Sequence, residues 1–110
     1  MEHDGRMSSW MRCYWDEEDT WFYFEVDEDG MVARQIELQG PDRAAVAAAS
    51  LLEWHRAREA GVLGSYESRF GFTASLPVSE WEGHVAEVLT AQAFEEAWTA
   101  ARRQIAARRP

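Results

Sequence analysis

The stretch that most constrains the fold is Trp21–Leu38, WFYFEVDEDGMVARQIEL. Aromatic and β-branched residues crowd both halves, and an acidic tetrad closed by Gly30 lies between them. That pattern reads as two antiparallel strands joined by a tight turn. Loop length then decides which side chains share a face, because a one-residue slip turns every side chain over. A three-residue loop, Glu28-Asp29-Gly30, sets Val26 opposite Val32 and needs a left-handed residue at its end, which Gly30 supplies. Continued in that register, Phe22, Phe24 and Val26 share a dry face with Val32, Arg34, Ile36 and Leu38. Trp21, Tyr23 and Glu25 point the other way. Arg34 breaks the apolar set and calls for a carboxylate, a ring face or the sheet rim.

The same alternation reaches back into Ser9–Trp15, SWMRCYW. With Trp15 opposite Thr20 across the solvated run Asp16–Asp19, Met11 and Cys13 fall on the dry face. Trp10, Arg12 and Tyr14 join Trp21, Tyr23 and Glu25 on the reverse face. Residues 1–8 have no periodicity and read as a flexible tail, which leaves 9–110 as a single domain.

After the sheet, Gly40-Pro41-Asp42 reads as the start of a helix over about Asp42–Ala60. Its apolar stripe is Ala44, Ala47, Ala48, Leu51, Leu52 and His55, with Trp54 at the edge and Gly61 and Gly64 as stops. Tyr66 and Phe70 are spaced for one helical turn between Ser65 and Gly71. Phe72–Leu76 reads as a short fourth strand, and SEWEGH after Pro77 as a turn. A second principal helix covers about Ala91–Arg108, with Thr90 as cap and Phe94, Ala97, Trp98, Ala101 and Ile105 as its stripe. The expected fold is α+β: an antiparallel β-meander of three or four strands packed with two principal helices.

Charge enters because it is unevenly placed. The net charge is −9, and residues 1–30 hold ten carboxylates against two arginines, a balance of −8. A field of that sign repels phosphate backbones and anionic bilayers, so neither nucleic acid nor membrane is expected as a partner. Ala44–Leu52, the longest apolar run, is far short of the roughly 20 residues a bilayer requires. With no apolar signal core and a single cysteine, Cys13, a cytoplasmic protein without disulfides is expected.

Catalytic motifs are sparse. Glu25-x-Asp27-x-Asp29-Gly30 has the opening of a calcium loop, but Ile36 stands where a bidentate carboxylate belongs. His3, His55 and His84 have no metal-ligand spacing, and there is no phosphate-binding glycine loop or nucleophile elbow. No cofactor, metal or catalytic residue is therefore expected.

The segments WDEEDTWFYFEVDEDG, VARQIELQGPDR, LLEWHRAR, SEWEGH and FEEAWTAARR resemble small, acidic, Trp-rich proteins of actinobacteria, over Trp10 to about Arg103. That resemblance implies no activity and no catalytic residues. In composition alone the chain is also similar to bacterial toxin-immunity proteins, which are small, acidic and α+β.

Two functional readings stay open. One is a non-enzymatic protein–protein interaction module, such as an immunity- or antitoxin-like inhibitor of a basic partner, using Trp10, Tyr14, Trp21, Tyr23 and Glu25. The other is a small-molecule-binding protein or atypical enzyme, its pocket between sheet and helix and lined by Arg34, Trp54, His55 and Glu80 or Glu82. An aromatic sheet face of this size is covered by the second helix, by a partner or by a second copy, so a homodimer is a third expectation.

Overall fold

The computed structural model describes residues 8–75, 77–81 and 85–108. Among these, five strands pair antiparallel in the order β4-β3-β2-β1-β5. They are β1 (Ser9–Trp15), β2 (Thr20–Val26), β3 (Val32–Gln39), β4 (Ala44–Ser50) and β5 (Glu87–Leu89). Three α-helices pack with them: α1 (Leu51–Glu59), α2 (Leu63–Phe70) and α3 (Ala91–Ala107), and a 3-10 turn spans Val78–Glu80. The fold is α+β, as the sequence indicates.

The β2–β3 turn forms as its residues dictate. Asp27 N–H donates to the Met31 carbonyl at 2.9 Å, enclosing Glu28-Asp29-Gly30, and Gly30 takes a left-handed φ of 82°. The Asp27 carboxylate accepts from the Asp29 and Met31 amides at 2.9 and 3.0 Å, so a side chain completes the turn. Val26 lies opposite Val32, and Trp15 opposite Thr20.

One residue later the expected register fails. The ladder shifts between Val26 and Glu25, so that Glu25 pairs with Arg34 and Ala33 is the extra residue of a bulge. Every side chain of β3 beyond it is turned over. Ile36 and Leu38 leave the dry face and join Trp21, Tyr23 and Glu25, while Gln35 and Glu37 take their place opposite Phe24 and Phe22. Charge burial explains the correction. Without the bulge Arg34 would face Phe24, whereas with it Arg34 faces Glu25 and donates two hydrogen bonds to it, at 2.7 and 3.0 Å. One irregular backbone step costs less than an unpaired guanidinium in a dry face.

The expected long helix over Asp42–Ala60 is also corrected, since its first half is β4. Gly40–Arg43 turns the chain back tightly. Arg43 N–H donates to the Gly40 carbonyl at 3.0 Å, and Arg43 itself has a left-handed φ of 52°. Its guanidinium donates to Asp19 Oδ1 at 2.7 Å and to the Gly40 carbonyl at 2.8 Å, which holds that conformation. Alanines suit a helix, but they also present a low surface on which a helix can lie directly. Ala45, Ala48 and Ala49 are fully buried. The helix starts only at Leu51, where Ser50 caps it by accepting from the Glu53 amide at 3.3 Å. Gly64, expected as a stop, lies inside α2.

Each sheet face has its own cover. α3 lies on the Ile36 face, with Phe94, Ala101 and Ile105 packed against Ile36, Ala45 and Ala48, and with Trp10, Tyr23 and Leu38 around them. Phe94 is fully buried, a gain of roughly 1.5–3 kcal/mol for the ring alone. Thr90 caps α3 as expected, accepting from the Ala93 amide at 3.0 Å. The opposite face gathers Cys13, Phe24, Val26 and Val32 beneath Ala74, Val78 and Trp81. Gln35 fastens that covering segment, accepting from the Ala74 amide at 2.8 Å. Residues 72–75 are not strand, and the fifth strand, Glu87–Leu89, arises where none was expected. Leu76, residues 82–84 and most of the expected N-terminal tail lie outside the described residues.

Candidate functional site

Helix α3 divides the aromatic face in two. At the covered end Trp10, Tyr23, Glu25 and Arg34 are half-buried. Trp10 Nε1 donates to Glu25 at 3.1 Å, and Glu25 is held by Arg34. Arg34 also pairs with Glu95 of α3 and lies over the Phe94 and Trp98 rings, 4.9 and 5.1 Å from their centroids. Burial works against the charge on Arg34, but its two carboxylates outweigh that and strengthen its hold on the proton. These groups are occupied with holding α3 to the sheet.

The other end, past α3, is open. Tyr14 and Trp21 are cross-strand neighbours with ring centroids 5.3 Å apart. Tyr14 is 42% exposed and the adjacent Trp15 37%. With Asp16, Glu17, Val85 and Glu87 these three rings line a cleft of about 470 Å³. β1 and β2 place the rings, the β1–β2 turn places Asp16 and Glu17, and β5 places Glu87 beside Arg12.

Guanidinium groups already sit on these rings. Arg12 lies 4.2 Å from the Trp21 centroid, donates to Tyr23 Oη at 3.2 Å and pairs with Glu87 at 2.9 Å. Arg43 lies 5.6 Å from the Tyr14 centroid. Tyr14 donates its hydroxyl proton to Asp19 at 2.6 Å. That bond, followed by Arg43, holds the Asp19 carboxyl below its usual range, and the same carboxylate pushes the Tyr14 phenol up. The arrangement is rich in acceptors and π faces and carries several full negative charges. It suits a cation that donates hydrogen bonds.

The alternative set does not assemble. Trp54 and His55 do line one cleft, of about 620 Å³, with Met31, Leu51, Glu67 and residues 72–75. Trp54 donates to Glu67 at 2.8 Å, and the two rings meet edge to face at 5.3 Å. His55, expected in a buried stripe, is exposed, because the helix carrying that stripe begins only at Leu51. Arg34 does not line this cleft; it belongs to the α3 face. Glu80 is exposed on the 3-10 turn, and Glu82 lies outside the described residues. Cys13 is 6% exposed, and burial pushes its thiol up, away from the thiolate a nucleophile requires. Among the described residues no group of three or more His, Cys, Asp or Glu is placed to hold a metal ion.

Sequence reasoning found Tyr14 and Trp21 but missed Trp15, Val85 and Glu87. Trp15 alternates with Cys13 and lines the dry-face cleft as well as this one, and only the β1–β5 pairing brings residues 85–89 alongside. No protein-family model matches the chain, and no curated protein or solved structure matches it. No helix among the described residues is long and apolar enough to cross a membrane.

Proposed function

We propose that this protein is a non-enzymatic protein–protein interaction module that receives an arginine- or lysine-bearing segment of a basic partner. The observation that carries this reading is the open cleft in which Tyr14, Trp15 and Trp21 meet Asp16, Glu17 and Glu87. Aromatic rings beside carboxylates offer a partner cation both a π face and hydrogen-bond acceptors. The molecule's own Arg12 and Arg43 use that chemistry on Trp21 and Tyr14. An immunity- or antitoxin-like inhibitor of a basic protein is one concrete form. Of the five residues first expected to bind, Tyr14 and Trp21 contribute to the surface, while Trp10, Tyr23 and Glu25 hold α3.

A generic attraction to polycations is the rival explanation for any chain of net charge −9. The test therefore compares two double variants that remove the same charge. D16N/E17Q neutralises the cleft, and D42N/E59Q neutralises two exposed carboxylates elsewhere. Binding of an arginine-rich peptide, followed by calorimetry over a salt series, should weaken in D16N/E17Q and weaken further with salt. D42N/E59Q should bind as the parent does. Equal weakening in both variants would reduce the cleft to bulk charge and end this proposal.

A further inference from the structure

On the far side of Trp15 lies a second cleft, of about 370 Å³, between the dry sheet face and its covering residues Ala74 and Trp81. Four of its lining residues are aromatic: Trp15, Phe22, Phe24 and Trp81. Phe24 meets Trp81 at 4.8 Å with ring planes 61° apart, and Phe22 stacks on Phe24 at 6.0 Å. The remainder are Cys13, Gln35, Ala74 and Glu18. We propose that this cleft binds a small alkylated ammonium cation, with the rings as a cage and Glu18 as counter-ion.

Three properties of the lining select that ligand class. First, among the described lining residues Glu18 is the only carboxylate and there is no arginine, so a cation is favoured over an anion or a neutral molecule. The Cys13 thiol is neutral and adds no second charge. Secondly, the volume is at the small end of the range of roughly 300–1,000 Å³ for ligand cavities, which limits the guest to a few heavy atoms around its charge. Thirdly, acceptors are scarce among the described lining residues. Gln35 spends its carbonyl on the Ala74 amide at 2.8 Å and its amide on Glu37 at 3.0 Å. A guanidinium or primary ammonium would lose hydrogen bonds to water and recover few. An alkylated ammonium has few or none to lose, and its methyl groups fill space against the rings. The neighbouring acidic cleft has the opposite inventory.

The test titrates the intact protein with choline and with its uncharged carbon isostere, 3,3-dimethylbutan-1-ol, following amide chemical shifts. Choline should shift residues of β1 and β2 together with Ala74 and Trp81, and the isostere should bind about tenfold more weakly. E18Q, at an exposed position, should fold normally and lose most of that preference. E17Q, which alters the acidic cleft instead, should retain it, so this proposal and the peptide-binding proposal fail separately. A trimethyl-lysine peptide run beside free choline identifies the source, since the tighter ligand names it. Equal binding of choline and the isostere, shifts confined to the Tyr14–Trp21 cleft, or an E18Q variant indistinguishable from the parent would each overturn the proposal.

Discussion

The two faces of the sheet bury their contents by different means. On the α3 face arginines are drawn inward, and each is paired and laid on rings. Arg34 bridges Glu25 and Glu95 over Phe94 and Trp98, while Arg102 pairs with Glu53 over Phe70 and Trp98. Trp98 therefore lies against two guanidinium groups. Arg102 also donates to the Ala48 carbonyl at 2.9 Å, and Gln104 accepts from the Ala45 amide, so α3 side chains satisfy backbone groups of the edge strand β4. The opposite face is dry, with Gln35 the buried polar side chain that anchors its cover. One face is fixed by side-chain ion pairs and hydrogen bonds, and the other mainly by packing, with the Ala74 amide on Gln35 and the Val78 amide on the Gly30 carbonyl at 2.9 Å. The first should therefore fail abruptly on loss of a single group, and the second by degrees.

Arg34 gives the largest expected effect. R34M leaves the Glu25 carboxylate, whose side chain is 17% exposed, without its cation in a half-buried site. A loss of about 3 kcal/mol is expected from urea unfolding, the low end for breaking a buried pair because some water still reaches it. E25L/R34M removes both charges and should recover more than half of that loss. If R34M alone is as stable as the parent, the bulge at Ala33 needs another cause.

The dry face is tested through Gly71, where the chain passes over β4. A Cβ there would lie 2.9 Å from the Ala47 Cβ, and the residue also has a left-handed φ of 84°. Gly61 provides the control, with φ at 78° and nothing within 4 Å of a Cβ. G61A should cost about 1 kcal/mol for the backbone alone. G71A should cost about 2–3 kcal/mol, because Gly71 combines its φ of 84° with a ψ of −153°, where only glycine is at ease, and crowding against Ala47 adds to that backbone cost. Equal midpoints in thermal melts of the two variants would show that the segment after α2 does not press on β4.

How much of this was legible depends on whether the signal is local. The Glu28-Asp29-Gly30 loop was readable because a left-handed glycine at its end restricts the turn to few forms. α3 was readable from its stripe and its Thr90 cap. The Ala33 bulge was not, since nothing in VARQIEL marks it until Arg34 must find Glu25. The run Ala44–Ser50 reads as helix by propensity, and its place as β4 is set by pairing with β3 and by α3, far along the chain. The same limit governed the sites. Tyr14 and Trp21 followed from strand alternation, but Glu87 and Trp81 reach their clefts through distant segments, and Glu18 looked like one more solvated acid in DEED.

The smallest expected effects concern two carboxylates whose shifts have opposite signs. Burial raises Glu37 above its ordinary value of 4.5, Gln35 partly offsets this by donating to it, and Glu18 adds to it. A carboxyl raised by folding opposes folding once it is ionised, so its penalty is present above the folded value. That penalty fades as the pH falls towards 4.5. E37Q should therefore raise the unfolding midpoint at about pH 7.5, and the gain should shrink towards zero near pH 4. Asp19 runs the other way. Tyr14, followed by Arg43, lowers it from 3.8, so its contribution is present above that value and is lost as the pH falls through the folded one. D19N should lower the midpoint at neutral pH, by less as the pH is lowered through that range. Melts of the parent and both variants across the acid range decide the matter. Parallel curves for E37Q and the parent would mean that the Glu37 carboxylate is hydrated after all, and that the dry face is wetter at its Glu18 end than its packing implies.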